Sequence, residues 1–111
     1  MTFAVEEERV ADVPVVRVTG EIDVATAPEL RGHLVDHEGA DEAVVVVDLS
    51  GVTFLDSTAL GVLVGSYRRL TDGGGSLRLV VTEPRILKVL EITDLLSVFP
   101  IFDTVDGAVT G

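Results

Sequence analysis

Residues 54–63, FLDSTALGVL, place one carboxylate and two hydroxyls between apolar runs. Ser57 and Thr58 directly follow Asp56, so the segment offers either a hydroxyl that attacks a substrate or a hydroxyl that another enzyme modifies. The same residue types also begin helices, because a serine or aspartate side chain accepts a hydrogen bond from a free backbone N–H in the first turn. The local sequence alone favours Ser57 as a helix cap, with Asp56 as the alternative cap.

A hydrolytic role for Ser57 finds little support in the rest of the chain. Such a serine needs a base within hydrogen-bond reach, a third group that orients the base, and an oxyanion hole. The histidines are His33 and His37, and nothing in the sequence places either of them beside Ser57. The segment also lacks the G-x-S-x-G elbow of serine hydrolases. We therefore expect no catalytic residue and no enzyme activity.

The two histidines have the i, i+4 spacing of a helical metal pair, but no third ligand is evident in the sequence. We interpret His33 and His37 as solvent-facing residues beside Asp36 and Glu38, and we expect no metal. The phosphate-binding patterns G-x-x-x-x-G-K-[ST] and G-x-G-x-x-G do not occur, so we expect no cofactor and no bound ATP. The glycine run 73–75 follows a predicted helix and indicates a turn.

The elements that must position Ser57 alternate between strands and helices. Thr26 and Glu29 have the spacing of a capping box at the start of the first helix. The valine-rich run EAVVVVDL predicts a strand that is buried on both faces. Predicted strands cover 2–10, 13–20, 42–49, 77–81 and 98–102, and predicted helices cover 26–37, 57–70 and 84–92. This order predicts an α/β fold with one domain over residues 1–111, whose mixed sheet of four to five strands is flanked by helices.

Two loops are expected to meet at one edge of this sheet. Functional sites in such folds lie beyond the carboxyl ends of the parallel strands. If the second and third strands are parallel, the loops 20–26 and 50–57 converge, and Asp23 becomes a neighbour of Ser57. A phosphoryl group on Ser57 would lie at an electropositive helix N-terminus and add about −1.5 to −2 charge. Such a modification would change what docks beside Asp23 and Asp56 without unfolding the domain.

Composition narrows the classes of partner and the compartment. The formal net charge is −11, from 19 acidic and 8 basic residues, which disfavours nucleic acid and anionic membranes. The acidity would steer a basic protein partner towards the domain, but it is explained equally well as a means of keeping a small domain soluble. The chain has no cysteine, no recognisable signal peptide and no apolar run near the ~20 residues of a membrane helix. We therefore predict a cytoplasmic protein.

Gly61 and Gly65 lie inside the second predicted helix, where each costs ~1 kcal/mol relative to alanine. Two explanations are open. The glycines let the helix lie close to the sheet, which we slightly favour, or they form a smooth face that a partner approaches.

Three segments together resemble the STAS-domain anti-sigma factor antagonists of bacteria: TGEIDVATAPELR, VVVDLSGVTFLDSTALGVLVGSYRRL and LEITDLLSVFPIFDTV. The central segment is the most specific, because Asp56, Ser57 and Thr58 interrupt its apolar frame at the family's phosphorylation position. The resemblance implies a mixed sheet flanked by helices. The segment 103–111 predicts only a weak final helix, where relatives usually carry a longer one.

The resemblance also implies a regulatory function. In that family, the unphosphorylated antagonist binds an anti-sigma factor that is also a serine kinase, and the sigma factor is released. The kinase phosphorylates the residue matched by Ser57, which weakens binding, and a metal-dependent serine phosphatase reverses the modification. Asp23 matches a family position in the loop beside that serine, so Asp23, Asp56, Ser57 and Thr58 are the candidate partner-binding residues.

Two other functions stay open. A STAS-like interaction module without a phosphorylation cycle, such as a scaffold or transport accessory, would bind its partner whatever the state of Ser57. A sensor of a small ligand or nucleotide would use the same loop edge, although the phosphate-binding motifs are missing.

Overall fold

The computed structural model of the protein describes residues 2–39 and 42–111. Its strands are β1 (Ala4–Val10), β2 (Val13–Ile22), β3 (Val44–Leu55), β4 (Ser76–Val80) and β5 (Ile101–Phe102), and its helices are α1 (Ala27–Glu38), α2 (Ser57–Asp72), α3 (Pro84–Ile92) and α4 (Val105–Thr110). One sheet contains the five strands in the order β1-β2-β3-β4-β5. Strand β1 is antiparallel to β2, and each later strand is parallel to the one before it. The predicted α/β fold with a mixed sheet is confirmed.

A two-residue turn joins β1 to β2. Ala11 and Asp12 have φ of 50° and 67°, and the flanking Val10 and Val13 are paired. Two successive positive φ values are the mark of a type I′ turn, whose twist matches that of the two strands. The predicted strands 2–10 and 13–20 leave the same two residues for the turn.

Strands β2 and β3 extend further than the sequence predicts. The sequence predicts a strand that ends at residue 49 and a loop over 50–57. In the structure, the pairing of β2 with β3 continues to Ile22 and Leu55 through two register shifts. One shift follows Gly20, whose φ is +89° and where a Cβ would lie 2.7 Å from the Thr2 carbonyl oxygen. Glycine at this point lets β2 bend beneath the first residues of the chain, and the sheet edge moves to the residues just before Asp23 and Asp56.

The sheet is covered on both faces, but unequally. Helices α1, α2 and α3 pack on one face, where the buried strand residues include Val45, Val47 and Leu49. The opposite face has a smaller apolar cluster in which Val46 packs with Ala108 of α4. Alternate valines of β3 therefore face two different cores, and the predicted burial of this strand on both faces is confirmed.

The final helix forms despite its glycine. The Thr104 side chain accepts a hydrogen bond from the Gly107 backbone N–H at 2.9 Å and caps α4. The Arg78 guanidinium donates to the Ala108 carbonyl oxygen at 2.8 Å and lies over the Phe102 ring. Contacts from β4 and β5 thus stabilise a helix that its local sequence favours only weakly. Strand β5 is shorter than the predicted 98–102, because Phe99 is buried in the main core instead of pairing in the sheet.

Candidate functional site

The carboxyl ends of β2 and β3 meet where the sequence analysis expected a site. Ile22 and Leu55 are paired, and the Asp56 backbone N–H donates to the Ile22 carbonyl oxygen at 3.2 Å. Asp23 and Asp56 are the next residue on each strand, so parallel pairing brings both acids and the start of α2 to one edge. Because α2 starts one residue after Asp56, Ser57 lies at this edge as well.

The cap of α2 is Asp56, and the expectation that Ser57 caps the helix is wrong. Asp56 has the extended backbone of a capping residue, and its Oδ1 accepts a hydrogen bond from the Ala59 N–H at 3.0 Å. Ser57 is the first helical residue, and both Ser57 and Thr58 are exposed. Among the described residues, no hydrogen bond engages either hydroxyl. Capping by Asp56 therefore leaves the Ser57 oxygen open to solvent.

The loop between β2 and α1 is held by its own side chains. Asp23 Oδ1 accepts hydrogen bonds from the backbone N–H groups of Ala25 and Thr26, at 2.9 and 3.1 Å. Thr26 Oγ1 accepts from the Asp23 N–H at 2.9 Å and donates to the Glu21 carbonyl oxygen at 3.1 Å. The predicted capping box between Thr26 and Glu29 is absent, because the Thr26 hydroxyl makes no cap bond to α1. Asp23 thus shapes the loop that faces Ser57.

Two glycines follow Ser57 at intervals of one helical turn. Gly61 is exposed, and a Cβ there would meet no atom within 4 Å. At Gly65, the three nearest atoms to a Cβ all belong to the Arg69 side chain, the first at 3.1 Å. Neither glycine lies against the sheet, so the favoured explanation of close helix–sheet packing is wrong. The explanation that remains is a smooth outer face at Gly61, one turn after Ser57, because the Arg69 side chain covers Gly65.

The family profile of the STAS domain matches residues 4–108 of this chain. The chain belongs to the STAS domain family. The anti-sigma-B factor antagonist of Bacillus subtilis (strain 168) is 38% identical over 96 residues, which are 85% of this chain and 85% of that protein. The family resemblance predicted from the central segment is therefore confirmed.

Solved structures of the STAS fold superpose closely on this domain. The anti-sigma factor antagonist from Mycobacterium paratuberculosis matches with a TM-score of 0.89 and 33% identity, over 98% of this chain and 92% of the other. The Bacillus cell fate determinant SpoIIAA in its phosphorylated form matches with a TM-score of 0.73 over 98% of this chain and 97% of the other. At 21% identity, the SpoIIAA match shows the fold alone.

The two histidines of this STAS domain contact a third residue that the sequence did not suggest. His37 Nε2 lies 2.6 Å from Glu7 Oε1, and His33 Nδ1 contacts Glu7 Oε2. Burial raises the pKa of Glu7, but the hydrogen bonds with His33 and His37 outweigh it, and the pKa lies below its ordinary value. The expectation that both histidines face solvent holds only in part, because their side chains are 31% and 14% exposed and β1 brings Glu7 over α1 as their partner. Their partner is Glu7, so neither is placed to act as a base for Ser57.

Residues 2–39 and 42–111 contain neither of two further kinds of site. No group of three histidine, aspartate or glutamate side chains in these ranges has an arrangement that could hold a metal ion. No helix in these ranges is both long enough and apolar enough to cross a membrane. The exposed hydroxyls of Ser57 and Thr58 lie at the start of α2, beside the ends of β2 and β3.

Proposed function

We propose that this STAS domain is an anti-sigma factor antagonist whose binding is switched off by phosphorylation of Ser57. The observation that carries the proposal is the exposed Ser57 hydroxyl at the first residue of α2, which makes no cap bond. The chain that carries it is 38% identical to an anti-sigma-B factor antagonist. In its unphosphorylated form the domain binds an anti-sigma factor that is also a serine kinase, and the sigma factor is released.

Phosphorylation transfers the γ-phosphoryl group of ATP, bound to the kinase, to the Ser57 hydroxyl. The Ser57 oxygen forms a bond to the γ-phosphorus, the bond to the β-phosphate oxygen breaks, and ADP leaves as the hydroxyl proton is lost. A metal-dependent phosphatase reverses the modification with water and releases phosphate. Because Asp56 rather than Ser57 caps the helix, the cap bond to Ala59 can persist in both states.

The change in binding follows from where the phosphate lies. The phosphate adds about −1.5 to −2 charge beside Asp23 and Asp56. Ser57 and Thr58 are exposed at this edge, so the added charge lies on the surface that would contact the partner. A partner that packs closely against α2 must then remove a doubly charged group from water, which is costly unless a matching cation is present. The open Gly61 position, one turn along the helix, favours this close approach.

Labelling with the kinase tests the phosphorylation site. The cognate kinase and radiolabelled ATP should modify the wild type and Thr58→Ala but not Ser57→Ala. Thr58→Ala is the matched control, because Thr58 is the adjacent exposed hydroxyl. Equal labelling of Ser57→Ala would show that the site is elsewhere.

Binding measurements test the switch. Ser57→Asp should weaken binding to the anti-sigma factor while leaving the melting temperature nearly unchanged, because Ser57 is exposed and makes no cap bond. Equal affinity of the wild type, Ser57→Ala and Ser57→Asp would instead favour an interaction module without a phosphorylation cycle.

A further inference from the structure

The β2–β3 edge exposes large apolar side chains as well as hydroxyls. Val24 is 70% exposed and Phe54 is 47% exposed. Val24 lies two residues after Ile22 and Phe54 two residues before Asp56, so both flank the backbone hydrogen bond that joins the two strand ends. Isolated exposed apolar residues are ordinary on protein surfaces, so exposure alone gives Val24 no function.

The backbone around Val24 distinguishes it from an incidental surface residue. The carboxylate of Asp23, on one side, accepts hydrogen bonds from the N–H groups of Ala25 and Thr26 on the other. The Asp23 carbonyl oxygen also accepts from the Ala27 N–H at 2.8 Å, which joins the loop to α1. Val24 is therefore an apolar side chain held out from a loop that is already ordered. Such preorganisation lowers the entropy cost of binding.

We infer that Val24 is an apolar anchor that inserts into a pocket on the anti-sigma factor, which deepens the proposed function and rests on it. A branched side chain with two methyl groups and few rotamers loses little freedom when it is buried. Burying the Val24 side chain in a pocket removes its apolar surface from water, which favours binding in proportion to the area buried.

The charge around Val24 describes the partner's pocket. Segments 20–26 and 53–58 contain the acids Glu21, Asp23 and Asp56 and no basic residue. The complementary partner surface is an apolar pocket with lysine or arginine side chains at its rim. A second copy of this chain fits less well, because the net charge of −11 makes two copies repel each other.

Calorimetric titration of the cognate anti-sigma factor, without ATP, tests Val24. Val24→Ser should raise Kd about tenfold, equivalent to about 1.4 kcal/mol. Ile92→Ser is the matched control, because Ile92 is 72% exposed at the end of α3, outside both segments, and it should change Kd less than about twofold. Thermal unfolding of each variant checks that the fold is intact.

The outcomes separate this inference from the function on which it rests. A wild type that binds no anti-sigma factor contradicts the proposed function itself. A wild type that binds, with Val24→Ser binding equally well, overturns only the role of Val24. Sedimentation supplies the remaining outcome: wild-type self-association that Val24→Ser abolishes, with unchanged anti-sigma factor binding, would assign Val24 to contact between copies and overturn the inference.

Discussion

Replacing Gly61 with alanine should make the protein more stable and a poorer binder at the same time. Glycine inside a helix costs stability because it gains backbone freedom in the unfolded chain. At Gly61 the added methyl group meets no atom within 4 Å, so no clash opposes the gain. Because alanine at position 61 would stabilise the folded domain, the glycine there is better explained by contact with a partner than by packing within the domain.

The size of both effects follows from the open position. Gly61→Ala should raise the free energy of unfolding by about 1 kcal/mol. In a chain of 111 residues this corresponds to a melting temperature about 4 °C higher. If the partner packs directly on this face, the extra methyl group overpacks the interface and costs about 1–3 kcal/mol of binding, roughly a five- to 150-fold increase in Kd.

Calorimetry of unfolding and titration of the anti-sigma factor measure the two effects in the same variant. Gly32→Ala provides the matched control on α1, because Gly32 is exposed and a Cβ there also meets nothing within 4 Å. Gly32→Ala should give a similar gain in stability without any loss of affinity, since Gly32 lies on α1 and not on the helix that carries Ser57.

Two results would refute the reasoning. A lower melting temperature for Gly61→Ala would show that the position is packed within the domain. A higher melting temperature with unchanged Kd would show that the partner does not approach this face of α2, and the smooth-face explanation would be wrong.

Two further predictions concern stability. Glu7→Gln should lower the melting temperature, and the difference from the wild type should disappear well below the ordinary carboxylate range: the lowered pKa of Glu7 stabilises the fold above that range, and this contribution is lost as pH falls through the folded-state pKa. A difference that remains undiminished in the most acidic melting curves would contradict the bridge to His33 and His37. Ser66→Ala should leave the free energy of unfolding unchanged or raise it by up to about 1 kcal/mol, because the buried Ser66 hydroxyl has no hydrogen-bond partner among the described residues. A clear loss of stability in denaturant titration would show that this hydroxyl makes a hydrogen bond in the folded protein.

The order of the elements could be predicted from the sequence because periodicity and turn residues mark each one. The valine run of β3 and the helical spacing of Leu60, Leu63 and Leu70 lie where those patterns indicated. Parallel pairing of the two strands then predicted that the Asp23 loop would lie beside Asp56. The hydrogen bond from the Asp56 backbone N–H to the Ile22 carbonyl oxygen confirms this placement.

The errors concern one contact between distant segments and two local details that residue types alone do not decide. The histidines contact Glu7, 26 and 30 residues away, and no local pattern announces such a partner. The choice of cap between Asp56 and Ser57 depended on which residue first adopts helical backbone angles, and both types favour that position. At Gly61, the direction of the glycine relative to the sheet depended on the rotation of α2 about its axis.

The sequential strand order has a consequence for how the molecule is built. Each strand pairs with the one that precedes it in the chain, so no completed pair has to open to admit a later strand. The sheet begins with a hairpin closed by two residues, and each of the three later strand connections contains a single helix. Because closing a loop costs only slowly more as it lengthens, the sheet can be extended stepwise from its N-terminal edge. The edge that carries Ser57 is formed by the ends of β2 and β3 and the start of α2, so all of its residues precede β4, α3, β5 and α4 in the chain.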